Sequence, residues 1–133
     1  MRIERKFTTE GKSAYDAIEF REAASEIRNP DGSIVFQLEK FEVPKQWSQV
    51  AADILAQKYF RKAGVPARLK KVEENTIPSW LWRSVADEQA LEKLPEEQRY
   101  SSESGARQLF DRLAGTWTYW GWKGGYFTTE QDA

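Results

Sequence analysis

Two side chains that carry much of enzyme chemistry are missing from this sequence: its 133 residues contain neither cysteine nor histidine. Without thiols there is no disulfide, no thiolate metal ligand and no cysteine nucleophile. Without imidazole the commonest general base and a frequent metal ligand are gone as well. Carboxylates, lysines, tyrosines and hydroxyls remain. The carboxylates are densest in Asp87, Glu88, Glu92, Glu96, Glu97 and Glu103, opposed only by Lys93 and Arg99. They are strung along an unpatterned polar stretch with Pro95 and Ser101-Ser102, and such spacing does not converge oxygens on a cation; no metal ligand is assigned.

The cations cluster earlier, in Lys58, Arg61, Lys62, Arg68, Lys70 and Lys71 against Glu73 and Glu74. With Tyr59 and Phe60 among its cations, this segment 58–71 has the composition of a module for an acidic or nucleic-acid partner. The simpler reading is a solvated face, because both rings fall inside a helical pattern. Twenty Lys and Arg against 21 Asp and Glu leave a net charge of −1, so no global field draws the chain to nucleic acid or to an anionic membrane. No run approaches the ~18 apolar residues of a membrane span, and Met1-Arg2-Ile3-Glu4-Arg5-Lys6 lacks the apolar core of a secretion signal. A cytoplasmic protein with no membrane and no nucleic-acid partner is expected.

The elements available to position any site are few. Residues 1–17 show no period and are read as an extended arm. Residues 18–28 and 33–43 tend to alternation, clearest at Ile34, Phe36 and Leu38, and Asn29-Pro30-Asp31-Gly32 between them supplies turn chemistry, so 18–43 reads as a β-hairpin. A helix is predicted over 48–63, with Ser48 as N-cap and Gly64 then Pro66 as the stop. Its wheel confines Asp53, Gln57 and Arg61 to one stripe and calls for burial of Val50, Ile54, Leu55 and Tyr59. Residues 64–103 read as a linker with short helical turns, one at Trp80-Leu81-Trp82. A second helix is predicted over 104–121, where Ala106, Leu109, Phe110, Leu113, Trp117 and Trp120 share a face ahead of Gly124-Gly125. Thr128 and Gln131 have capping-box spacing, so 128–133 reads as the start of a truncated helix. With 133 residues the chain suits one α+β domain, an N-terminal hairpin packed on a mainly helical body.

Aromatic residues make up 14% of the chain, which suggests extensive contact surfaces. On the second helix the wheel turns Tyr119 and Trp122 away from the apolar stripe, toward Asp111, Arg112 and Thr118. Two large rings on a polar face need a partner, and Tyr119 and Trp122 are read as a packing surface for a part of the protein outside this sequence.

Two stretches carry a resemblance. The run from Glu26 to Ser33, continuing through VFQLEKFEVPKQWSQVAADILAQKYFRKAGVPARLKKVEENTIPSWLWRSV, resembles the N-terminal region of adenosylcobalamin-dependent, class II ribonucleotide reductases. The run FDRLAGTWTYWGWKGGYF, Phe110 to Phe127, resembles the same proteins just before their catalytic barrel. The resemblance implies an oxidoreductase that makes deoxyribonucleotides for DNA synthesis through a cysteine thiyl radical generated with adenosylcobalamin. It places that chemistry, with nucleotide substrate and effectors, in a ten-stranded α/β barrel that this chain precedes and lacks. Because the sequence has no cysteine, no catalytic and no cofactor-binding residue is carried over, and the segment alone is expected to be inactive and to bind no cobalamin. Its expected partner is the rest of the reductase chain. A free-standing binding module using the basic segment is the alternative.

Overall fold

A computed structural model describes all residues from Met1 to Ala133. The chain divides into two compact units. A hairpin unit holds Phe7–Arg61 and Glu103–Leu109; a tryptophan-rich unit holds Met1–Lys6, Lys62–Ser102 and Phe110–Ala133.

The hairpin unit is built on strands β1 (Phe20–Arg28) and β2 (Ile34–Pro44), paired antiparallel. The turn closes as its residue types require. Gly32 takes φ +86° and donates its N–H to Asn29 O at 2.9 Å, while Asp31 Oδ1 accepts from Ser33 N at 2.9 Å. Two register shifts each place one extra residue in β2: Ala23 pairs with Phe41 but Ser25 with Leu38, and Ile27 pairs with Phe36 but Arg28 with Ile34. A one-residue bulge reverses the parity of side chains along a strand. This is why Phe36 and Leu38 alternate normally, whereas the buried Phe41 and Val43 follow three and five residues after Leu38.

Helix α1 (Gln49–Ile54) lies against β1 through small residues. Ala23 and Ser25 on the strand are buried, as are Ala52 and Ala56 on the helical segment, and Gln49 Nε2 donates to Ala24 O at 2.8 Å. Ser48 Oγ accepts from Ala51 N at 3.2 Å. Ser48→Ala is expected to lower unfolding free energy by about 0.5–2 kcal/mol, and Ser48→Gly by only a few tenths. Urea titration of the two variants checks this.

The single helix predicted over 48–63 is corrected. After Ile54 the backbone widens into a π-turn over Leu55–Tyr59, closed by Phe60 N donating to Leu55 O at 3.1 Å, and Phe60 is already extended. The extra residue in the turn carries Phe60 into the core, where it meets Phe41 edge-on at 5.7 Å between ring centroids. Leu55 is buried as expected, but Val50, Ile54 and Tyr59 are left largely exposed. Gly64, at φ +74°, lies five residues past the end of the π-segment, not at a helix cap.

Two other expectations change. Residues 9–18 are not extended: Gly11 at φ +75° and Ser13 bonding Asp16 and Tyr15 fold them into successive turns. The body is not mainly helical either. Within 64–103 the tryptophan-rich unit forms two small antiparallel sheets, β3 (Val65–Pro66) with β6 (Tyr100–Ser101), and β4 (Leu69–Lys71) with β5 (Ser84–Ala86). Two short helices, α2 (Glu88–Glu92) and α3 (Glu96–Arg99), lie between them in sequence. Strands of two or three residues are too short to show alternation. Around them Ile77, Leu81 and Leu91 form this unit's buried core. The whole is a mixed α/β arrangement of one long strand pair, two minor sheets and four helices. Helix α4 (Ala106–Lys123) is the longest and supplies residues to both units. No helix is long and apolar enough to cross a membrane.

Candidate functional site

The second half of α4 and the segment 74–82 form the most heavily bonded part of the tryptophan-rich unit. Pro78 precedes a short 3-10 turn, Ser79–Leu81, which sets Trp80 and Trp82 on either side of the buried Leu81. Trp82 Nε1 donates back to Ile77 O at 2.9 Å and Glu74 O at 3.2 Å, so the loop is tied to itself. Trp80 Nε1 donates to Glu130 Oε2 at 2.9 Å.

Tyr119 and Trp122, the two residues singled out from the sequence, both come to this loop. The Tyr119 hydroxyl is 2.8 and 2.7 Å from the two oxygens of Glu74. Trp122 Nε1 donates to Thr76 O at 2.9 Å, and its ring meets Trp80 edge-on at 6.5 Å. Both residues are half-buried by the chain's own residues. Of the stripe expected to be buried on α4, Ala106 and Leu109 are buried and Phe110 and Leu113 half-buried, but its second half is not. Trp117 and Trp120, expected in the buried stripe, are 62% and 63% exposed. The physical reason is that a phenol and an indole can hand their polar atoms to Glu74 and Thr76 while the rings pack, and periodicity alone does not reveal which side the 74–82 loop covers.

Glu74 is the electrostatic centre of the loop. The Tyr119 hydrogen bond holds its carboxyl below the ordinary value; the Arg83 bond at 2.9 Å and the charges of Lys123 and Arg83 add to this against partial desolvation. A second low carboxyl is Asp132, lowered first by the Ile3 N–H at 2.8 Å and then by Thr129. Thr129 N and Oγ1 donate to Asp132 Oδ2 at 3.0 and 2.9 Å, and Asp132 N returns a bond to Thr129 Oγ1 at 3.3 Å. This is the reciprocal arrangement of a capping box. It sits one residue along from the predicted Thr128–Gln131 pair, which corrects that assignment; the backbone there is a turn. In the hairpin unit Glu42 is also lowered, by Arg107, whose Nε and Nη2 donate to its two oxygens at 2.7 and 2.6 Å.

All three carboxyls titrate lower in the folded chain than unfolded. The unfolded chain therefore takes up more protons on acidification. The stabilisation is present above the ordinary carboxylate range, about pH 4, and is lost as pH falls through the folded values. Thermal melts are expected to give a falling Tm from about pH 6 to about pH 3, with a smaller fall for Tyr119→Phe, which removes the first cause at Glu74. An acid response identical in the variant would show that the Tyr119 contact does not set the Glu74 titration.

No three acidic side chains converge where a metal ion could be held. Asp87 instead caps α2, accepting from Ala90 N at 3.2 Å, and Glu103, expected in a polar connection, is buried in the hairpin unit. The burial of Glu103 had no signal in the sequence. The basic segment is divided between the two units. Lys58 and Arg61 belong to one unit, Lys62 to Lys71 to the other, and Lys71 Nζ is spent on Trp82 O at 3.0 Å.

The side chains of the candidate site are thus held by packing and hydrogen bonds. Residues 21–133 match the family described as class II vitamin B12-dependent ribonucleotide reductase. The whole chain is 71% identical to a vitamin B12-dependent ribonucleotide reductase of Agrobacterium fabrum, covering 10% of that protein. It is 69% identical to one of Bradyrhizobium diazoefficiens, covering 11%, and 30% identical over 135 residues to one of Streptomyces clavuligerus, covering 10%. The chain belongs to the class II vitamin B12-dependent ribonucleotide reductase family. It spans about a tenth of the length of these relatives.

Proposed function

We propose that this chain is the non-catalytic N-terminal part of a cytoplasmic reductase that converts ribonucleotides to deoxyribonucleotides with adenosylcobalamin. The observation that carries this is the family match over residues 21–133 in a sequence with no cysteine. In the reaction the family resemblance implies, a thiyl radical abstracts a ribose hydrogen and paired thiols supply the electrons; neither group can come from these residues. Substrate, effector and cobalamin sites then belong to the rest of the polypeptide, in the α/β barrel that the resemblance implies.

Two hollows on the surface measure about 320 and 420 Å³. One is lined by residues such as Arg21, Lys40 and Glu42, the other by Arg2, Arg5 and Asp132. Pockets for drug-sized ligands measure about 300–1,000 Å³, and a corrin ring with its nucleotide is larger than such a ligand. Neither hollow is the size of a corrin site, which supports placing cobalamin on the rest of the polypeptide.

The test is a comparison of the full-length reductase with residues 1–133 alone, each given ribonucleotide, adenosylcobalamin and a dithiol. Deoxyribonucleotide is expected from the full-length protein only, and the isolated segment is expected to leave the cobalamin absorption spectrum unchanged. Turnover by the segment would overturn the reading.

A further inference from the structure

The side of α4 turned away from the 74–82 loop is unlike ordinary protein surface. From Leu113 to Trp122 the helix carries no charge in ten residues, in a chain that is 31% charged. Exposed helix faces are normally polar, whereas loss of charge with gain of tryptophan is the composition of an interface core. Trp117 and Trp120 lie about one turn apart on this side, both mostly exposed. A third ring extends the patch. Tyr126, also largely exposed, lies beside Gly124, where a Cβ would come within 2.8 Å of the Tyr126 ring and 3.2 Å of Trp120 O. Gly124 N donates to that same Trp120 O at 2.9 Å. A glycine there lets Tyr126 lie against the helix end next to Trp120.

We propose that Trp117, Trp120 and Tyr126 form the face on which the remainder of the reductase polypeptide docks. This rests on the reading of the chain as the N-terminal part of a reductase. Area and tethering select that occupant. An aromatic side chain buries roughly 150–250 Å², so three partly exposed rings offer a few hundred Å². That is the size of a typical functional patch but well short of the roughly 800 Å² per partner of a stable dimer. A second copy has too little to hold. The relatives continue for about nine-tenths of their length outside the matched stretch. Polypeptide joined to this unit acts at an effective concentration of the order of millimolar, which favours a small patch that free copies cannot exploit.

Hydroxyl-radical footprinting of the full-length reductase, with N-acetyltryptophanamide in the same tube as reference, tests the proposal. Fully desolvated tryptophans at an interface centre are expected to oxidise at least about fivefold more slowly than the reference at both Trp117 and Trp120. Oxidation faster than that at either residue overturns the proposal. Protection lost on dilution, in step with a drop in mass by light scattering, would assign the face to a second copy and also overturn it. Ribonucleotide reduction is assayed on the same preparation. A protein without turnover removes the underlying reading whatever the footprint, whereas turnover with unprotected tryptophans removes only the docking face.

Discussion

Replacing Phe41 by alanine is expected to lower the stability of the hairpin unit by about 3–5 kcal/mol, the range for removing a large aromatic from a packed core. Phe41 is only 2% exposed and lies edge-on to Phe60 at 5.7 Å. The loss combines the transfer free energy of the ring, the cavity left behind, and the pair geometry, itself worth about 0.5–1.5 kcal/mol beyond area. Small neighbours limit the repair, because Ala23 faces Phe41 across the hairpin and has no longer side chain to swing into the void. Ile34→Ala on the same strand is the control. Ile34 is 47% exposed, so its truncation is expected to stay within about 0.5 kcal/mol. Hydrogen exchange of β1 and β2 amides distinguishes the two, and equal protection in both variants would show that the Phe41–Phe60 contact does not hold the unit together.

What could be read from the sequence follows the range of the interaction that decides each element. The hairpin was legible because its turn is local: Asn29 to Gly32 need only their own φ preferences and side chains. β1 and β2 begin and end within two residues of the expected bounds. Helix α4 was legible in extent for the same reason, Ala106–Lys123 against 104–121. The two bulges were not: the one between Leu38 and Phe41 shows only as a break in alternation at Glu39-Lys40, which reads equally as a polar stretch, and the one between Ile34 and Phe36 leaves no break at all. Nor was the π-turn, where one additional backbone residue decides whether Tyr59 or Phe60 enters the core.

The candidate site shows the same division. The wheel correctly separated Trp117 and Trp120 from Tyr119 and Trp122. Ranking the two faces required knowing where residues 74–82 pass, and that path is fixed by Trp82 bonding Glu74 and Ile77 carbonyls and by Tyr119 reaching the Glu74 carboxylate. Such contacts, 45 residues apart in the case of Tyr119 and Glu74, leave no periodic trace.

Leu91→Ala is expected to cost about 2–5 kcal/mol and to disorganise the tryptophan-rich unit. Leu91 is 1% exposed, and with Val43 it is one of the two largest fully buried side chains in the chain. The elements around it have little stability of their own. Helix α2 has five residues, α3 four, and the strands of the two minor sheets two or three each. One helical turn does not recover its nucleation cost, and a two-stranded pair is marginal in water. Their order must come from apolar burial, and few side chains in this unit supply it. Five of the six tryptophans, Trp80, Trp82, Trp117, Trp120 and Trp122, belong to this unit. Indole emission during denaturation therefore reports its unfolding, and the midpoint in urea is expected to fall for Leu91→Ala. Leu91→Met conserves volume and is expected to cost less than about 1.5 kcal/mol; Leu69→Ala, at an exposed position on β4, is expected to be near neutral. A midpoint as low for Leu69→Ala as for Leu91→Ala would mean that the small sheets, rather than the buried leucine, organise the unit.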